Sequence, residues 1–155
     1  ADSQVASRWG NIGEFKNFDL LTPNEKEARF ALGDQDSTVN ALTQFLSDIS
    51  NYKYIILKLG KKGIFSVDRA NKKNPNQNKA YSIDSFVSKL IDPVGSGDAL
   101  LAYATLSIIV SKKLSVASIL GSIAAACECE KNGNIPITKK EVLRKLEEEI
   151  MKISE

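Results

Sequence analysis

The sequence predicts an α/β fold: a three-layer arrangement with a mostly parallel sheet and flanking helices. Three observations carry this reading. Tyr54-Ile55-Ile56-Leu57-Lys58-Leu59 is a continuous apolar, β-branched run, the pattern of a central strand covered on both faces. Segments of strand and helix character alternate, joined by short links. At 155 residues the chain is one domain's worth, long enough to bury a sizeable core.

Phe18-Asp19-Leu20-Leu21 is a short strand candidate, stopped by Thr22-Pro23. Thr22 to Ala28 then reads as a helix start, with a Thr cap, a proline at the first position and acids in the first turn. That helix runs to Leu32 and stops at Gly33-Asp34. Val39, Leu42, Phe45, Leu46 and Ile49 fall at helical spacing and predict a second helix from about Ser37 to Ile49. The strand at 54–59 meets Gly60-Lys61-Lys62-Gly63, and Ile64 to Val67 follows as a second strand. A short glycine-bounded link of this kind predicts a hairpin. Residues 68–79 form a polar loop, followed by strand candidates at Tyr81–Ile83 and Phe86–Val87. Three helices close the chain. The first, 98–111, is apolar nearly all round and expected to be buried. The second spans about 115–130. The third, 138–153, opens with Thr138 and Glu141 as a capping box.

Composition narrows the chemistry. A hydrophobic content of 43% and a charged content of 26% are those of an ordinary globular protein. With a net charge of +2 and only one lysine cluster (Lys61, Lys62, Lys72, Lys73, Lys79), nucleic-acid binding has little support. The chain has 0 histidines, which removes Ser-His and Cys-His machinery and the commonest metal ligand. Acid–base work falls to carboxylates or lysines. Cys127 and Cys129, separated by one residue, are too close for an ordinary disulfide and read as small helical residues of a reducing compartment. The uncharged runs 99–111 and 114–127 are each too short to span a bilayer, and a soluble, cytoplasmic protein is expected. The start, Ala1-Asp2-Ser3-Gln4 with no methionine, reads as that of a fragment of a longer protein.

The segment richest in chemistry is Asp92-Pro93-Val94-Gly95-Ser96-Gly97-Asp98, at the head of the 98–111 helix. The first amides of a helix lack intrahelical partners, and together with the helix dipole they favour an anion. Asp98 stands beside that position. By itself the run reads equally as an Asp cap after a flexible turn. Thr22–Glu27, Gly60–Gly63 and Gly95–Asp98 all follow strand candidates, where open α/β sheets gather ligands, so the three can converge on one site.

Asp92-Pro93-Val94-Gly95-Ser96-Gly97-Asp98-Ala99 resembles the D-x-x-G-x-G-D signature of the pfkB (ribokinase-like) carbohydrate kinases. Asn24-Glu25-Lys26-Glu27 resembles the N-x-x-E motif of that family, and Lys58-Leu59-Gly60-Lys61-Lys62-Gly63 its strand and turn near the nucleotide. Ala124–Gly133 is similar to its helix ending near adenine. Asp2 and the Leu21-Thr22-Pro23-Asn24 context look closest to the heptose type of sugar-phosphate kinase.

The resemblance implies an ATP-dependent phosphoryl transfer to a hydroxyl of a sugar or sugar phosphate. Asp98 would be the general base, and Gly95, Ser96 and Gly97 the anion hole. Asn24 and Glu27 would act through Mg²⁺ and its waters, against the alternative of a solvated amide and a first-turn helix charge. Asp92 would help hold a monovalent cation or merely initiate the turn before Pro93. Lys58 either reaches a nucleotide phosphate or carries its head to the surface. Gly60 and Gly63 would pass under the nucleotide, although a plain hairpin needs them too. Ser122, counted back from Gly133, would lie near adenine. Residues 1–155 would form the C-terminal portion of a ribokinase-like kinase domain, with the nucleotide and anion-hole side. The N-terminal sugar-binding half and a small β lid would lie outside them. The expected partners are a nucleotide and a small sugar or sugar phosphate, with a homodimer left open. A non-catalytic nucleotide-binding or interaction domain of the same fold stands as the rival, and a kinase for a vitamin precursor or nucleoside as a nearer one.

Overall fold

The computed structural model describes residues 1–2, 12–69, 78–133 and 135–154. The predicted loop at 68–79 therefore lies largely outside the described residues. Two compact units divide the chain, Ala1–Ser82 and Ile83–Glu155.

In the first unit, β1 (Leu20–Leu21), β2 (Tyr54–Lys58), β3 (Ile64–Asp68) and β4 (Lys79–Ile83) form one sheet in that order. The fold is α/β as expected, and the sheet is mixed. β1 and β2 run parallel, whereas β2 and β3 are antiparallel, Lys58 facing Ile64 and Tyr54 facing Asp68. The link between β2 and β3 contains one 3₁₀ turn, Gly60–Lys62. It is far too short for the crossover that parallel neighbours need. Gly60 at φ 62° and Gly63 at φ 85° both take backbone conformations that other residues resist, which is why the link is bounded by glycines.

Helix α1 (Glu25–Leu32) begins later than the sequence suggests. Its cap is Asn24 rather than Thr22. Thr22 is fully buried, and its amide donates to the Ala1 carbonyl, so it continues the extended chain past β1. Helix α2 (Val39–Ser50) is capped by Thr38. Ile12, Leu21, Ala28, Leu46, Tyr52, Ile55, Leu57 and Val67 form the core of this unit. Burial raises the Tyr52 phenol well above its ordinary pKa, and its hydroxyl donates to the Thr43 carbonyl. Phe18 is exposed and packs edge-to-face on Phe15, so the predicted strand at 18–21 shortens to two residues.

The second unit consists of α3 (Ser96–Ser111), α4 (Leu114–Cys129) and α5 (Lys139–Ser154) with the segment leading into them. No strand forms at 86–87. Phe86 packs instead against the cluster of Ile123, Ala124, Cys127 and Val142. Helices α3 and α4 approach closely at Gly121, where a Cβ would meet the Leu100 carbonyl oxygen at 3.1 Å and the Ala104 Cβ at 3.2 Å. Only α3's inner face benefits. Leu100 and Ala104 are buried, but Leu106, Ile109 and Val110 are 62%, 58% and 85% exposed, which corrects the expectation of a helix buried all round. Uniform hydrophobicity does not choose a face. Helix α4 covers one side of it. Thr138 and Glu141 cap α5 reciprocally, as the sequence predicts.

Candidate functional site

The predicted site residues fall in both units. In the first, the end of the parallel β1–β2 pair places them. Beyond the strand ends, Asn24 and Lys58 form a parallel bridge, and the Lys58 amide donates to the Pro23 carbonyl at 2.9 Å. The start of α1 and the end of β2 are thus adjacent.

Asn24 and Glu27 lock one another. The Glu27 amide donates to Asn24 Oδ1 at 2.9 Å, and the Asn24 amide donates to Glu27 Oε2 at 2.8 Å. This capping box satisfies two amides of the first turn, and the carboxylate gains from the positive end of the helix dipole. Glu27 is 4% exposed. The structural alternative for these two residues is therefore real, and it does not oppose the other. A capping box fixes the same side chains that a cation's water shell would need held still.

Lys58 is a case that sequence reasoning left divided. Its ammonium does not stand unpaired but contacts both carboxylate oxygens of Asp2, at 2.8 and 3.0 Å. Asp2 is brought there because the Ala1 amine donates to the Leu20 carbonyl and the Ala1 carbonyl accepts from Thr22, alongside β1. Sequence reading had no signal for this pair, whose members are 56 residues apart. Asp2, Asn24, Glu27 and Lys58 together make one polar cluster at the carboxyl end of parallel strands, where α/β sheets collect ligands.

In the second unit the turn at 92–98 is well defined. Asp92 Oδ1 accepts from the Val94 amide at 3.0 Å, the local bond expected of a turn initiator. The Ser96 hydroxyl and amide both donate to the Pro93 carbonyl, at 2.7 and 3.2 Å. Gly95 then caps α3 in the left-handed conformation, φ 83°, and no side chain caps the helix. Gly97 and Asp98 lie in the first turn, with Asp98 exposed at the helix head. An uncapped, glycine-initiated N-terminus of a 16-residue helix is an electrostatically favourable place for phosphate.

The remaining sequence candidate, Ser122, is 8% exposed within α4, and its Oγ has no hydrogen-bond partner among the described residues. Cys127 and Cys129 are free and buried, and burial pushes both thiols above the ordinary thiol pKa. Among the described residues no group of three or more His, Cys, Asp or Glu is gathered for direct metal coordination. No helix among them is long and apolar enough to cross a membrane.

Comparison with known proteins gives this geometry its context. Residues 14–141 match the pfkB family of carbohydrate kinases. The bifunctional protein HldE of Campylobacter fetus subsp. fetus is 31% identical over 130 residues, which is 80% of this chain and 26% of that protein. The chain thus spans about a quarter of the length of the curated relatives it matches. Among solved structures, ribokinase from Thermotoga maritima superposes with a TM-score of 0.71 at 28% identity, over 88% of this chain and 45% of that one. The ribokinase of Arabidopsis thaliana, solved in complex with ribose and ATP, gives a TM-score of 0.68 at 22% identity, over 83% of this chain and 40% of that one. A glycine-initiated helix head with a leading aspartate, a strand-end polar cluster and a match over most of the sequence agree: the chain belongs to the pfkB family of carbohydrate kinases.

Proposed function

We propose that this chain supplies the nucleotide and anion-hole side of a kinase that transfers the ATP γ-phosphoryl group to a hydroxyl of a sugar or sugar phosphate. The observation that carries the reading is the uncapped head of α3, with Gly95 in the left-handed conformation and Asp98 exposed in the first turn. A sugar hydroxyl is a poor nucleophile, and Asp98 accepts its proton as the oxygen attacks phosphorus. Amides of the Gly95–Ser96–Gly97 turn meet the charge on the transferring group. In this unit no histidine competes for the role of base.

Asn24 and Glu27 fit a hard cation by donor type, an amide oxygen and a carboxylate. Their capping-box bonds favour contact through bound water over direct ligation. Bound Mg²⁺ supplies charge neutralisation and orientation of the phosphates. Gly60 and Gly63 shape a tight turn at the end of β2 that a nucleotide can lie against, and Lys58 reaches its phosphates by exchanging partners with Asp2. The sugar-binding half and lid are contributed from outside residues 1–155, in keeping with the share of its relatives that the chain covers. The resemblance of Asp2 and the Leu21-Thr22-Pro23-Asn24 context to the heptose type of sugar-phosphate kinase favours a heptose-type sugar phosphate as the acceptor class.

The test is Asp98→Asn in the complete protein, read by ADP release coupled to a panel of sugars and sugar phosphates. Loss of a positioned base lowers turnover by ~10²–10⁴-fold. ATP–Mg²⁺ should still raise the melting temperature of the variant, because the asparagine leaves the nucleotide side intact. Undiminished turnover would remove Asp98 from the mechanism. Nucleotide binding without ADP release from the wild-type protein, on any acceptor, would favour a non-catalytic nucleotide-binding domain.

A further inference from the structure

The second unit contains a buried lysine that the proposed chemistry does not use. Lys145 of α5 is 5% exposed, although lysines are almost never buried to that degree without a partner. Its Nζ donates to Glu130 Oε1 at 2.7 Å and to Ser88 Oγ at 3.1 Å. The same Glu130 oxygen accepts from the Ser88 amide at 2.7 Å. Donors from α5 and from the segment before α3 thus share one carboxylate oxygen of Glu130, at the end of α4. Burial works to raise the Glu130 carboxyl, but the Lys145 and Ser88 hydrogen bonds outweigh it and hold it below the ordinary carboxylate range.

The next bonds along the chain continue the clamp. The Ile91 and Asp92 amides both donate to the Cys129 carbonyl at the end of α4, at 2.8 and 3.1 Å. Asp92 then holds Val94, and Pro93 accepts from Ser96, so a run of local bonds leads from Ile91 into the Gly95 cap. A second ion pair, Lys131 to Glu141 at 2.7 Å, ties the same two helices with the charges reversed. Hydrophobic side chains of similar volume would serve packing as well as or better than a buried ion pair. A charge-assisted, shared bond does what they cannot, which is to fix the direction of a backbone segment.

We propose that Lys145 is a positioning residue for the Asp92–Asp98 turn, acting through Glu130 and Ser88. It touches neither nucleotide nor acceptor. It sets where the head of α3 points its amides and Asp98. The proposal rests on the reading of that turn as the phosphoryl-transfer site, and its test separates the two.

Amide hydrogen exchange is measured on the chain carrying Lys145→Met or Glu130→Gln. Removal of a charge-assisted bond speeds exchange at Ile91 and Asp92 by roughly tenfold or more. The β2 amides Ile55–Leu57 and the α4 amide of Ala124 stay protected. Lys145→Arg, which keeps the charge, restores protection at Ile91 and Asp92. If Lys145→Met exposes Ala124 as well, the unit has opened, and Glu130→Gln, whose side chain is partly exposed, decides. Wild-type protection of Ile91 and Asp92 in Glu130→Gln overturns the proposal. In the complete protein the variants lower kcat and kcat/KM together, with KM for ATP nearly unchanged, as expected for a displaced base. A loss confined to KM also overturns it. A wild-type protein that transfers no phosphoryl group would defeat the functional reading, while the exchange experiment still decides whether the clamp exists.

Discussion

Glu27→Gln separates the two duties assigned to the start of α1. The carboxylate is 4% exposed, accepts the Asn24 amide at 2.8 Å and stands at the positive end of the helix. Glutamine keeps the size and an acceptor oxygen. What it loses is the charge, worth ~0.3–1 kcal/mol at a helix N-terminus, and part of the strength of one hydrogen bond. The structural loss is therefore about 1 kcal/mol. For a unit of the size of Ala1–Ser82 this lowers the melting temperature by ~4–8 °C. Asn24→Ala, which removes the cap itself, costs a similar ~1 kcal/mol. The nucleotide effect is separate and larger. ATP–Mg²⁺ at about a hundred times its Kd stabilises a protein by ~2.7 kcal/mol. Thermal unfolding with ATP, with and without Mg²⁺, reads both. In wild type the metal enlarges the ATP shift. In Glu27→Gln the baseline falls by the capping loss and the metal-dependent part of the shift disappears. A variant with a lowered baseline and a full metal-dependent shift would refute the magnesium role and leave Glu27 a capping residue alone.

Two further outcomes concern stability. Tyr52→Phe leaves the buried Thr43 carbonyl without its hydroxyl donor and should cost ~1–3 kcal/mol, measured as a lower urea midpoint with an unchanged slope. Acid should loosen the second unit. The Lys131 hydrogen bond, followed by those from the Thr138 amide and hydroxyl, holds the Glu141 carboxyl down at about 2, and Glu130 is also depressed. Below the ordinary carboxylate pKa the unfolded chain binds protons that the folded one does not, so stability falls as pH drops from about 5 toward 2. The protection factors of Ile91 and Asp92, corrected for the slower intrinsic exchange in acid, should fall across that range. Protection independent of pH would mean that these carboxylates do not hold the segment.

Much of the local geometry of the candidate site was legible because it is local. The glycines at 95 and 97, and Asp98 after them, form a contiguous run whose backbone needs can be read from residue type alone. Asn24 and Glu27 are three residues apart, the spacing of a capping box, and the local error there was to place the cap at Thr22. That error has a tertiary cause: the Thr22 amide is taken by Ala1, a residue from the far side of β1, and the helix starts only where the amides come free. The resemblance to heptose-type kinases drew on Asp2 and the segment around Pro23, but gave no sign of what Asp2 contacts. Its bond to Lys58 closes over 56 residues.

What the sequence determined by itself is the set of elements and their chemistry: an apolar β2, a glycine-bounded turn after it, a glycine-initiated α3 and the absence of histidine. Each follows from local backbone preference or residue type. Tertiary structure alone decided which side of α3 is covered, where the Lys58 charge is spent, and how Lys145 and Glu130 reach Ser88. Those outcomes depend on which surfaces meet. A helix as evenly apolar as α3 has no face of its own until α4 packs against it, and a lysine has no fixed partner until folding brings a carboxylate within 3 Å.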